Sequence, residues 1–272
     1  MGKLTRIRHY RGKDHTFVIC AYKESPYLEE CIWSLKGQSV SSHILMATST
    51  PNEFLEDLSK KYKIKLFVNQ GEKGIAGDWN FAYSLAQTPL VTLAHQDDLY
   101  LKDYVKMMLK SLNGAKKPLI AFSDYYERRN GETVKNNKLL RVKRFLLFPL
   151  RFRFFWRNRW IRRRILSLGS PICCPSVTMV KTELPESLFK NNMKSNIDWQ
   201  AWEKISKQRG SFVYIPIGLM EHRIHSDSTT SEVVGEKRRR EEDLIMYRKF
   251  WPEWIARILE HFYQSSEESN KI

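Results

Sequence analysis

Residues 16–35, TFVICAYKESPYLEECIWSL, decide the fold class of this chain. Thr16–Ala21 is a short apolar run of the kind that forms a strand buried on both faces. Ser25 and Pro26 suit the start of a helix, because serine caps free amide groups and proline fits the first helical position. Four apolar residues then follow at helical spacing, namely Leu28, Cys31, Ile32 and Leu35. The stretch predicts a buried strand followed directly by a helix.

The same alternation continues through the next part of the chain. Three further segments have strand character, namely His43–Ala47, Ile64–Val68 and Leu90–Ala94. A capping box with proline at the first helical position begins at Thr50, and another helix is predicted over about residues 79–86. Such alternation is typical of an α/β fold with a doubly wound sheet, in which ligands bind beyond the carboxyl ends of the strands. The polar residues that follow the strands are therefore expected to converge on one crevice.

The second half of the chain is less regular. Strand character returns in three segments, namely Leu119–Ser123, Ser176–Val180 and Phe212–Ile215. A helix is predicted from Asp198 onward, and helical patterns continue from about Glu232, first charged and then amphipathic. These last patterns predict a C-terminal helical extension over residues 232–272.

The charge of the chain is strongly positive and concentrated in one segment. The 272 residues include 46 Lys and Arg against 30 Asp and Glu, a net charge of +16, and 42% of the residues are hydrophobic. The hydrophobic content excludes a disordered chain, and the charge predicts an anionic partner. Arg141–Arg164 contributes ten Lys and Arg and no acidic residue, so the rest of the chain carries a net charge of about +6.

The cysteine usage and the expected absence of targeting signals predict a cytoplasmic protein. The four cysteines have no metal-site spacing, and Cys20 and Cys31 lie in apolar surroundings, so buried free thiols are expected. Free thiols fit a reducing compartment. The N-terminal residues lack the apolar region of a signal peptide. No stretch of about twenty apolar residues is present, so a membrane-spanning helix is not expected.

The acidic pair Asp97–Asp98 follows a predicted buried strand. Two carboxylates at close range raise each other's pKa. A divalent cation such as Mn2+ or Mg2+ relieves that repulsion and bridges to a diphosphate. Acidic pairs are also common in solvated turns, so the pair by itself leaves both interpretations open.

Four sequence blocks, in order, resemble family-2 glycosyltransferases of the GT-A fold. Residues 16–39 resemble the first strand and helix of that family, and LVTLAHQDDLY at 90–100 resembles the strand that ends in its acidic metal motif. Ile197–Trp199 resembles its Glu-Asp-Trp motif, and HRIHSDSTT at 222–230 resembles its closing Arg-x-His-x-x-Ser-x-Thr. The resemblance implies a GT-A-like (Rossmann-like) mixed, mostly parallel sheet flanked by helices, with a catalytic domain over residues 1–231.

The resemblance also implies roles for residues at the predicted crevice. Asp198 would be the general base for an attack that inverts the anomeric carbon. Asp98 would be the main ligand of Mn2+ or Mg2+, and His225 a second ligand. The implied contacts of the donor nucleotide, with a UDP-sugar favoured, are Ala21, Tyr22, Glu24, Thr48, Gly74, Asn80, Gln96, Asp97 and Arg223. Trp199 and Trp202 are candidates for stacking on an acceptor sugar, although core packing explains such residues equally well.

The sequence departs from the family pattern at several positions. Cys20 and Lys23 replace the usual proline and asparagine of the first block. His95 replaces the first acidic residue of the metal motif, and Ile197 replaces the glutamate before the base. The second strand ends in Thr48–Ser49 rather than in the aspartate that reads the donor base. The carboxylates that the chemistry needs remain, whereas the identity of the donor base stays open.

The segment RVKRFLLFPLRFRFFWRNRWIRRR (141–164) interleaves cations with aromatic residues, and Pro149 divides it into two short elements. This composition predicts an interfacial insertion over about residues 139–168 that binds an anionic membrane surface. The residues expected to face the lipid are Phe148, Arg151, Phe155, Trp156 and Trp160. Two other interpretations are an exposed basic face over an ordinary core and a site for single-stranded nucleic acid. No nucleic-acid-binding module is recognised, which favours the membrane.

The predicted function is transfer of a sugar from a nucleotide donor to a lipid-linked or polysaccharide acceptor of a bacterial surface glycan, at the inner face of the cell membrane. A sugar-phosphate nucleotidyltransferase would need a glycine-rich phosphate loop after the first strand, and this sequence has none there. A basic binding module without catalysis is the other alternative, and it predicts that Asp98 and Asp198 can be neutralised without loss of function. The oligomeric state and the packing of the C-terminal helices stay open.

Overall fold

One mixed β-sheet forms the centre of the molecule. The computed structural model describes residues 9–225 and 236–268. Within these residues the nine strands of the sheet are β1 (His15–Ala21), β2 (His43–Thr48), β3 (Lys65–Val68), β4 (Leu90–His95), β5 (Leu99–Tyr100), β6 (Pro118–Arg129), β7 (Glu132–Val134), β8 (Val177–Val180) and β9 (Ser211–Ile224).

Helices connect most of these strands and continue beyond the last one. In the described ranges they are α1 (Leu28–Lys36), α2 (Glu53–Tyr62), α3 (Ile75–Leu85), α4 (Tyr104–Asn113), α5 (Lys138–Leu147), α6 (Arg159–Leu166), α7 (Ile197–Ser206), α8 (Glu236–Tyr247) and α9 (Glu253–Glu268). Short 3-10 turns lie between α5 and α6.

The strand order is β3-β2-β1-β4-β8-β6-β9-β5, with β7 paired to β6. The first four strands are parallel, and β1 lies between β2 and β4 in the doubly wound manner. β8 runs antiparallel to β4 and β6, whereas β9 runs parallel to β6. The predicted α/β class with a mixed sheet is confirmed. The carboxyl ends of β1 to β4 meet at one edge, where a ligand crevice is expected.

The core around β1 forms where the sequence predicts it, but two helices begin later. Phe17, Val18 and Ile19 have no exposed surface. α1 begins at Leu28, because residues 25–27 form a turn before it. α2 is capped by Asn52, which accepts a hydrogen bond from the amide of Leu55 at 2.9 Å, instead of by Thr50. All four cysteines are free thiols, of which Cys31 is buried, as expected, whereas Cys20 is half-buried.

β9 is longer than the sequence predicts. It spans Ser211–Ile224 and joins two segments that Pro216 and Gly218 separate in the sequence. Register shifts between β6 and β9 accommodate this part of the strand as a bulge. A Cβ atom at Gly218 would lie 2.4 Å from the ring of Tyr126, so the close approach requires glycine. The long strand carries its last residues past β5, beside the acidic pair.

The two C-terminal helices pack against the rest of the protein. Trp251, between α8 and α9, donates its indole N–H to the carbonyl of Ser167 at 2.8 Å. Three hydrophobic residues of this region are buried, namely Met246, Tyr247 and Ala256. The described part of the C-terminal extension therefore contacts its own chain. The predicted boundary at residues 231–232 lies outside the described residues.

Candidate active site

The acidic pair lies in the turn between β4 and β5. Asp98 is fully buried, and its Oδ1 accepts a hydrogen bond from the main-chain amide of Arg223 at 2.9 Å. The same oxygen lies 3.0 Å from Nδ1 of His222. The other oxygen, Oδ2, is buried and has no hydrogen-bond partner in the described part of the chain. A buried carboxylate oxygen without a donor is the arrangement expected of a cation ligand.

His95, Asp97 and Asp98 form a group that fits a divalent cation. One potential ligand atom of each lies within 4.8 Å of the others. Nδ1 of His95 lies 4.0 Å from Oδ2 of Asp98. Burial lowers the pKa of His95, against the charges of Asp98 and Asp97, which favours the neutral imidazole that can donate an electron pair to a metal. Carboxylate oxygens are ligands that suit Mn2+ and Mg2+.

Asp97 is paired with His225. Nε2 of His225 lies 3.1 Å from Oδ2 of Asp97. Burial opposes the ionisation of Asp97, but the charges of His95 and His222 and the hydrogen bond from His225 outweigh it, so its pKa is lowered. His225, predicted as a metal ligand, is therefore joined to the group of three through Asp97. The rest of its motif, residues 226–230, lies outside the described residues.

His222 belongs to this site, although the sequence patterns do not reveal it. Burial opposes protonation of its imidazole, but the charge of Asp98 and the hydrogen bond to it raise its pKa above the usual value. Its ring lies edge-on to that of Tyr125, with 6.2 Å between the centroids. The sequence signal is the first histidine of the HRIH block. That histidine can be recognised as a site residue only once β9 is known to pass the acidic turn.

Arg223 is predicted to contact the donor, but its guanidinium makes hydrogen bonds to other residues of the protein. It donates to the main-chain carbonyl of Asp97 at 2.9 Å and to the carboxylate of Glu30 on α1. It also lies 4.1 Å from the centroid of the Tyr27 ring. Because Arg223 is only 7% exposed, these contacts make it a brace between the acidic turn and α1 and correct the prediction of a nucleotide contact.

The carboxyl end of β1 forms one wall of the predicted donor crevice. Ala21 is buried at the end of the strand, whereas Tyr22 is 49% exposed and Glu24 is exposed. The side-chain amide of Gln96 accepts a hydrogen bond from the amide of Tyr22 at 2.9 Å and donates one to its carbonyl at 3.0 Å. Tyr22 and Glu24 are accessible to a ligand, whereas Gln96 holds the end of β1 against the acidic turn.

Three other predicted donor contacts lie in different surroundings. Thr48 is buried at the end of β2, and its hydroxyl accepts from the amide of Thr50 at 3.0 Å. Asn80 binds the main chain of residues 188–189 through both polar atoms of its side chain, so it holds that loop rather than a nucleotide. Gly74 precedes α3 with a φ of +93°, a backbone conformation that favours glycine.

Asp78 brings a further carboxylate to the carboxyl edge of the sheet. It lies in the first turn of α3 and accepts from the hydroxyl of Ser49 at 2.9 Å and from the side-chain amide of Asn69 at 2.8 Å. Ser49 and Asn69 directly follow β2 and β3. The sequence patterns miss Asp78, because it comes from the helix after the third strand instead of from the end of the second.

Asp198 lies in the first turn of α7 and is half-buried. Its Oδ1 accepts a hydrogen bond from the amide of Trp199 at 2.7 Å. Burial raises the pKa of Asp198 to about 6, while this hydrogen bond and the charges of Lys143 and Arg239 limit the rise. A carboxylate whose pKa lies near neutrality is suited to proton transfer.

Asp198 and Asp98 lie near the same loop, Cys173–Cys174, which precedes β8. Burial is the largest cause of the raised pKa of both thiols, and the charges of Asp98 and Asp198 raise it further. The influence of a charge falls with distance, so both carboxylates lie within electrostatic range of this loop. The predicted base and the predicted metal ligand are therefore brought to one region of the molecule.

Comparison with known proteins assigns the family. The model of Glycosyl transferase family 2 matches residues 16–189. The chain belongs to glycosyltransferase family 2. A search of the curated proteins by sequence finds no match.

Solved structures share the fold of this family-2 glycosyltransferase. The mannosyltransferase PcManGT from Pyrobaculum calidifontis, in complex with GDP-Man and Mn2+, is 16% identical with a TM-score of 0.63, over 93% of this chain and 70% of that chain. S. aureus TarS 1-349, in complex with UDP-GlcNAc, is 14% identical with a TM-score of 0.60, over 90% and 70% of the two chains. The match covers 42% of a longer S. aureus TarS chain. At these identities the likeness shows the fold alone, and it confirms the predicted GT-A-like sheet.

Trp199 and Trp202 of this family-2 glycosyltransferase are fully buried on α7. Trp199 donates its indole N–H to the carbonyl of Leu166 at 2.9 Å. Trp202 packs edge-on against Phe189, with 6.4 Å between the ring centroids. The prediction that these rings stack on an acceptor sugar is therefore wrong, because α7 turns both of them into the core.

The basic insertion consists of α5, two 3-10 turns and α6, and Pro149 lies at the division, as predicted. Trp156 is only 6% exposed and donates its indole N–H to the carbonyl of Leu150 at 2.8 Å. The prediction that Trp156 faces lipid is wrong, because its ring packs inside the insertion. Phe155 is half-buried. The other predicted lipid-facing residues are exposed, namely Phe148, Arg151 and Trp160.

Proposed function

We propose that this family-2 glycosyltransferase moves a sugar, with inversion, from a nucleoside-diphosphate donor to a hydroxyl of its acceptor. One observation carries the proposal. The group of His95, Asp97 and Asp98 lies beside the end of β1, and a separate carboxylate with a raised pKa, Asp198, acts together with Asp98 on the pKa of Cys173 and Cys174. The site thus offers ligands for a metal–diphosphate unit and a base that can take a proton.

His95, Asp97 and Asp98 are the residues that would hold Mn2+ or Mg2+. The cation, when bound, supplies positive charge against the charge that develops on the leaving diphosphate. The amide of Arg223 and the imidazole of His222 orient Asp98 through Oδ1 and leave Oδ2 as the ligand atom. The protein thereby positions its ligand before the donor binds.

Asp198 would take the proton of the acceptor hydroxyl. As the acceptor oxygen bonds to the anomeric carbon, the bond from that carbon to the diphosphate oxygen breaks, and the nucleoside diphosphate leaves with the electron pair. General-base catalysis of this kind contributes about 10²–10⁴-fold to a rate. The product is a nucleoside diphosphate, whereas a nucleotidyltransferase would release pyrophosphate.

A UDP-sugar is the first donor to test, and a GDP-sugar is the second. The similar fold of TarS is solved with UDP-GlcNAc, and that of PcManGT with GDP-Man and Mn2+. In this chain the exposed residues Tyr22 and Glu24 are the candidates for nucleoside contacts. Ala21 and Gly74 would line the crevice with small residues, and Thr48, Asn80, Gln96 and Arg223 would support it.

The proposed acceptor is a lipid-linked bacterial surface glycan, with the enzyme attached peripherally to the inner face of the cell membrane. Support comes from an exposed cluster on the insertion, here named the aromatic tip. Its members are Phe145, Phe148, Phe152, Phe154 and Trp160, which are between 47% and 78% exposed. The rings of Phe148 and Phe152 are 5.7 Å apart and those of Phe152 and Phe154 are 6.3 Å apart, so much of the tip is one contiguous apolar surface.

Cations surround the aromatic tip without acidic neighbours in the sequence. Residues 133–182 contain no Asp or Glu. Three arginines beside the exposed rings are themselves exposed, namely Arg151, Arg153 and Arg157. Exposed rings and cations without carboxylates suit the interface of an anionic bilayer. No helix in the described ranges has the length and apolar character needed to cross a bilayer.

The catalytic proposal is tested by thermal unfolding with a panel of nucleoside diphosphates, with and without Mn2+. A ligand at about one hundred times its Kd stabilises a protein by about 2.7 kcal/mol, which gives a measurable rise in melting temperature. We expect a Mn2+-dependent rise for one nucleotide, its loss in Asp98→Asn and its retention in Asp57→Asn, whose carboxylate is exposed on α2. No rise with any nucleotide in the folded parent would contradict the proposal.

A further inference from the structure

The main chain just before the helix that carries Asp198 is bound by a residue from another part of the chain. Asn196 occupies the N-cap position of α7, but its side chain makes no capping hydrogen bond. The carboxylate of Glu242 on α8 instead binds the main chain that leads into this position. It accepts from the main-chain amides of Lys194 and Ser195, each at 2.8 Å, and of Asn196 at 3.3 Å. The hydroxyl of Ser195 donates to it as well, at 2.6 Å.

The next residue of α8 adds a second contact. The side-chain amide of Asn196 donates to the carboxylate of Asp243 at 2.6 Å. Glu242 and Asp243 are 4% and 2% exposed. Burial opposes the ionisation of Glu242, but the hydrogen bonds from Ser195 and the neighbouring amides outweigh it and lower its pKa. A buried ionised carboxylate needs such donors to replace its lost hydration, so Glu242 and this segment of main chain depend on each other.

We propose that Glu242 and Asp243 are positioning residues for the catalytic base. They fix the main chain of residues 194–196, and Asp198 follows directly in the first turn of α7. A negative charge at the start of a helix is also favoured by the helix dipole. The inference rests on the proposed role of Asp198. It makes α8, which the sequence assigns to a C-terminal extension, a structural part of the active site.

Two cations influence Asp198 from neighbouring elements, and one of them also belongs to α8. The charge of Arg239 lowers the pKa of Asp198, as does the charge of Lys143 on α5. Arg239 is half-buried and lies one turn before Asp243 on the same helix. α8 therefore affects Asp198 in two ways, through the main chain that leads into α7 and through the positive charge of Arg239.

Glu242→Gln tests the inference, because it keeps the size of the side chain and removes its charge. Glu241→Gln is the matched control, since it makes the same change at the neighbouring exposed residue. We expect the kcat of Glu242→Gln to fall about tenfold to a hundredfold, which is the cost of misplacing a catalytic group. The donor KM and the Mn2+-dependent melting shift should stay at the parent values. Glu241→Gln should keep the parent kcat.

A double-mutant cycle with Asp198→Asn separates positioning from a general loss of stability. Once the base is removed its position no longer matters, so adding Glu242→Gln should lower the residual rate by about twofold at most. Equal falls in both backgrounds, or a kcat of Glu242→Gln equal to that of Glu241→Gln, would overturn the inference. A parent-like rate in Asp198→Asn alone would overturn the proposed base and the inference with it, so the two failures are distinguishable.

Ser195→Ala provides a milder test if Glu242→Gln does not fold. It removes the hydroxyl donor and leaves the three amides on the carboxylate of Glu242. We expect a fall in kcat in the same direction, of about threefold, because one hydrogen bond to a buried charge is lost. An unchanged kcat in a folded Ser195→Ala protein would contradict the inference.

Discussion

The main-chain amide of Arg223 donates a hydrogen bond of 2.9 Å to the buried carboxylate of Asp98. The two residues are 125 positions apart in the sequence, and the antiparallel pairing of β5 with β9 brings them together. Because the donor is a main-chain group, the orientation of Asp98 depends on the strand and not on the side chain at position 223. The sheet itself therefore sets the geometry of the candidate metal site.

His222 is expected to tune metal affinity through Asp98. Its Nδ1 lies 3.0 Å from Oδ1 of the carboxylate. Replacing a residue that orients a metal ligand typically weakens metal binding by about 10–100-fold. His222→Ala should therefore raise the Mn2+ concentration for half-maximal activity by about that factor, whereas His43→Ala, at an exposed site, should not. Equal Mn2+ titrations for the two variants would refute this role.

Activity is expected to fall in acid around the pKa of Asp198, about 6. A general base works only when it is deprotonated, so kcat should fall about tenfold for each pH unit below that value. The pH–rate profile of the parent, measured with saturating donor and Mn2+, checks this. A profile that is flat from pH 7 to pH 5 would exclude Asp198 as the base.

Asp198→Asn is expected to remove activity without lowering stability. Burial raises the folded-state pKa of this carboxyl above its unfolded value, so its contribution to stability is present in acid and is lost as the pH rises through about 6. At pH 7.5 the carboxyl group is ionised, so this contribution to the free energy of unfolding has been lost. The variant should lose about 10²–10⁴-fold in rate and melt no lower than the parent. A lower melting temperature at pH 7.5 would argue against the buried, destabilised charge.

The aromatic tip is expected to bind anionic vesicles. In sedimentation with phosphatidylcholine vesicles, binding should require about 30% phosphatidylglycerol and weaken with salt. Phe145→Ser with Phe154→Ser should weaken it about tenfold or more, because these two rings are 78% and 73% exposed. Trp33→Ser, at a ring 56% exposed on α1, is the control.

The arginines of the insertion should contribute to the same binding. Each cation near an anionic surface contributes about 1 kcal/mol, so Arg151→Gln with Arg157→Gln should weaken vesicle binding about 25-fold. Lys60→Gln with Lys65→Gln removes the same charge elsewhere on the surface and should have little effect. Tighter binding to a single-stranded oligonucleotide than to vesicles would favour the nucleic-acid interpretation instead.

Arg162 is expected to anchor the insertion to the rest of the protein. It has no exposed surface, and it donates to the carbonyls of Ser206 at 2.8 Å and Gly210 at 2.7 Å and also to that of Gln208. Arg162→Leu leaves these buried acceptors without a donor, so the free energy of unfolding should fall by about 3 kcal/mol or more. Urea unfolding measures this loss. Arg157→Leu, at an exposed position, should stay within about 0.5 kcal/mol of the parent.

The first four strands could be predicted from the sequence because each is a local pattern. β1 and β4 are mainly apolar and almost fully buried, and each is followed by a polar turn, so the local sequence leaves little choice of structure. The part of β9 beyond Ile215 could not be predicted, because Pro216 and Gly218 normally end a strand. It continues because the bulge holds the proline and the Tyr126 ring occupies the space beside the glycine. Both reasons are tertiary contacts, which the sequence near Pro216 and Gly218 does not reveal.

The candidate site residues that the sequence reveals lie in short motifs. Asp97, Asp98 and Asp198 come from such blocks. Glu242 does not, because its hydrogen-bond partners lie 46 to 48 positions earlier and nothing near it in the sequence marks it. Trp199 and Trp202 show the converse, since residue type alone does not tell whether a large ring faces a ligand or the core.

The donor crevice separates the residues that a ligand can touch from those that hold its shape. Tyr22 and Glu24 are exposed, whereas Thr48, Asn80 and Gln96 use their polar atoms on the protein's own main chain. Evolution can therefore alter the exposed pair without dismantling the scaffold behind it. Descendants of one ancestral enzyme could acquire different nucleotide preferences through few substitutions, while the surrounding framework stays constant.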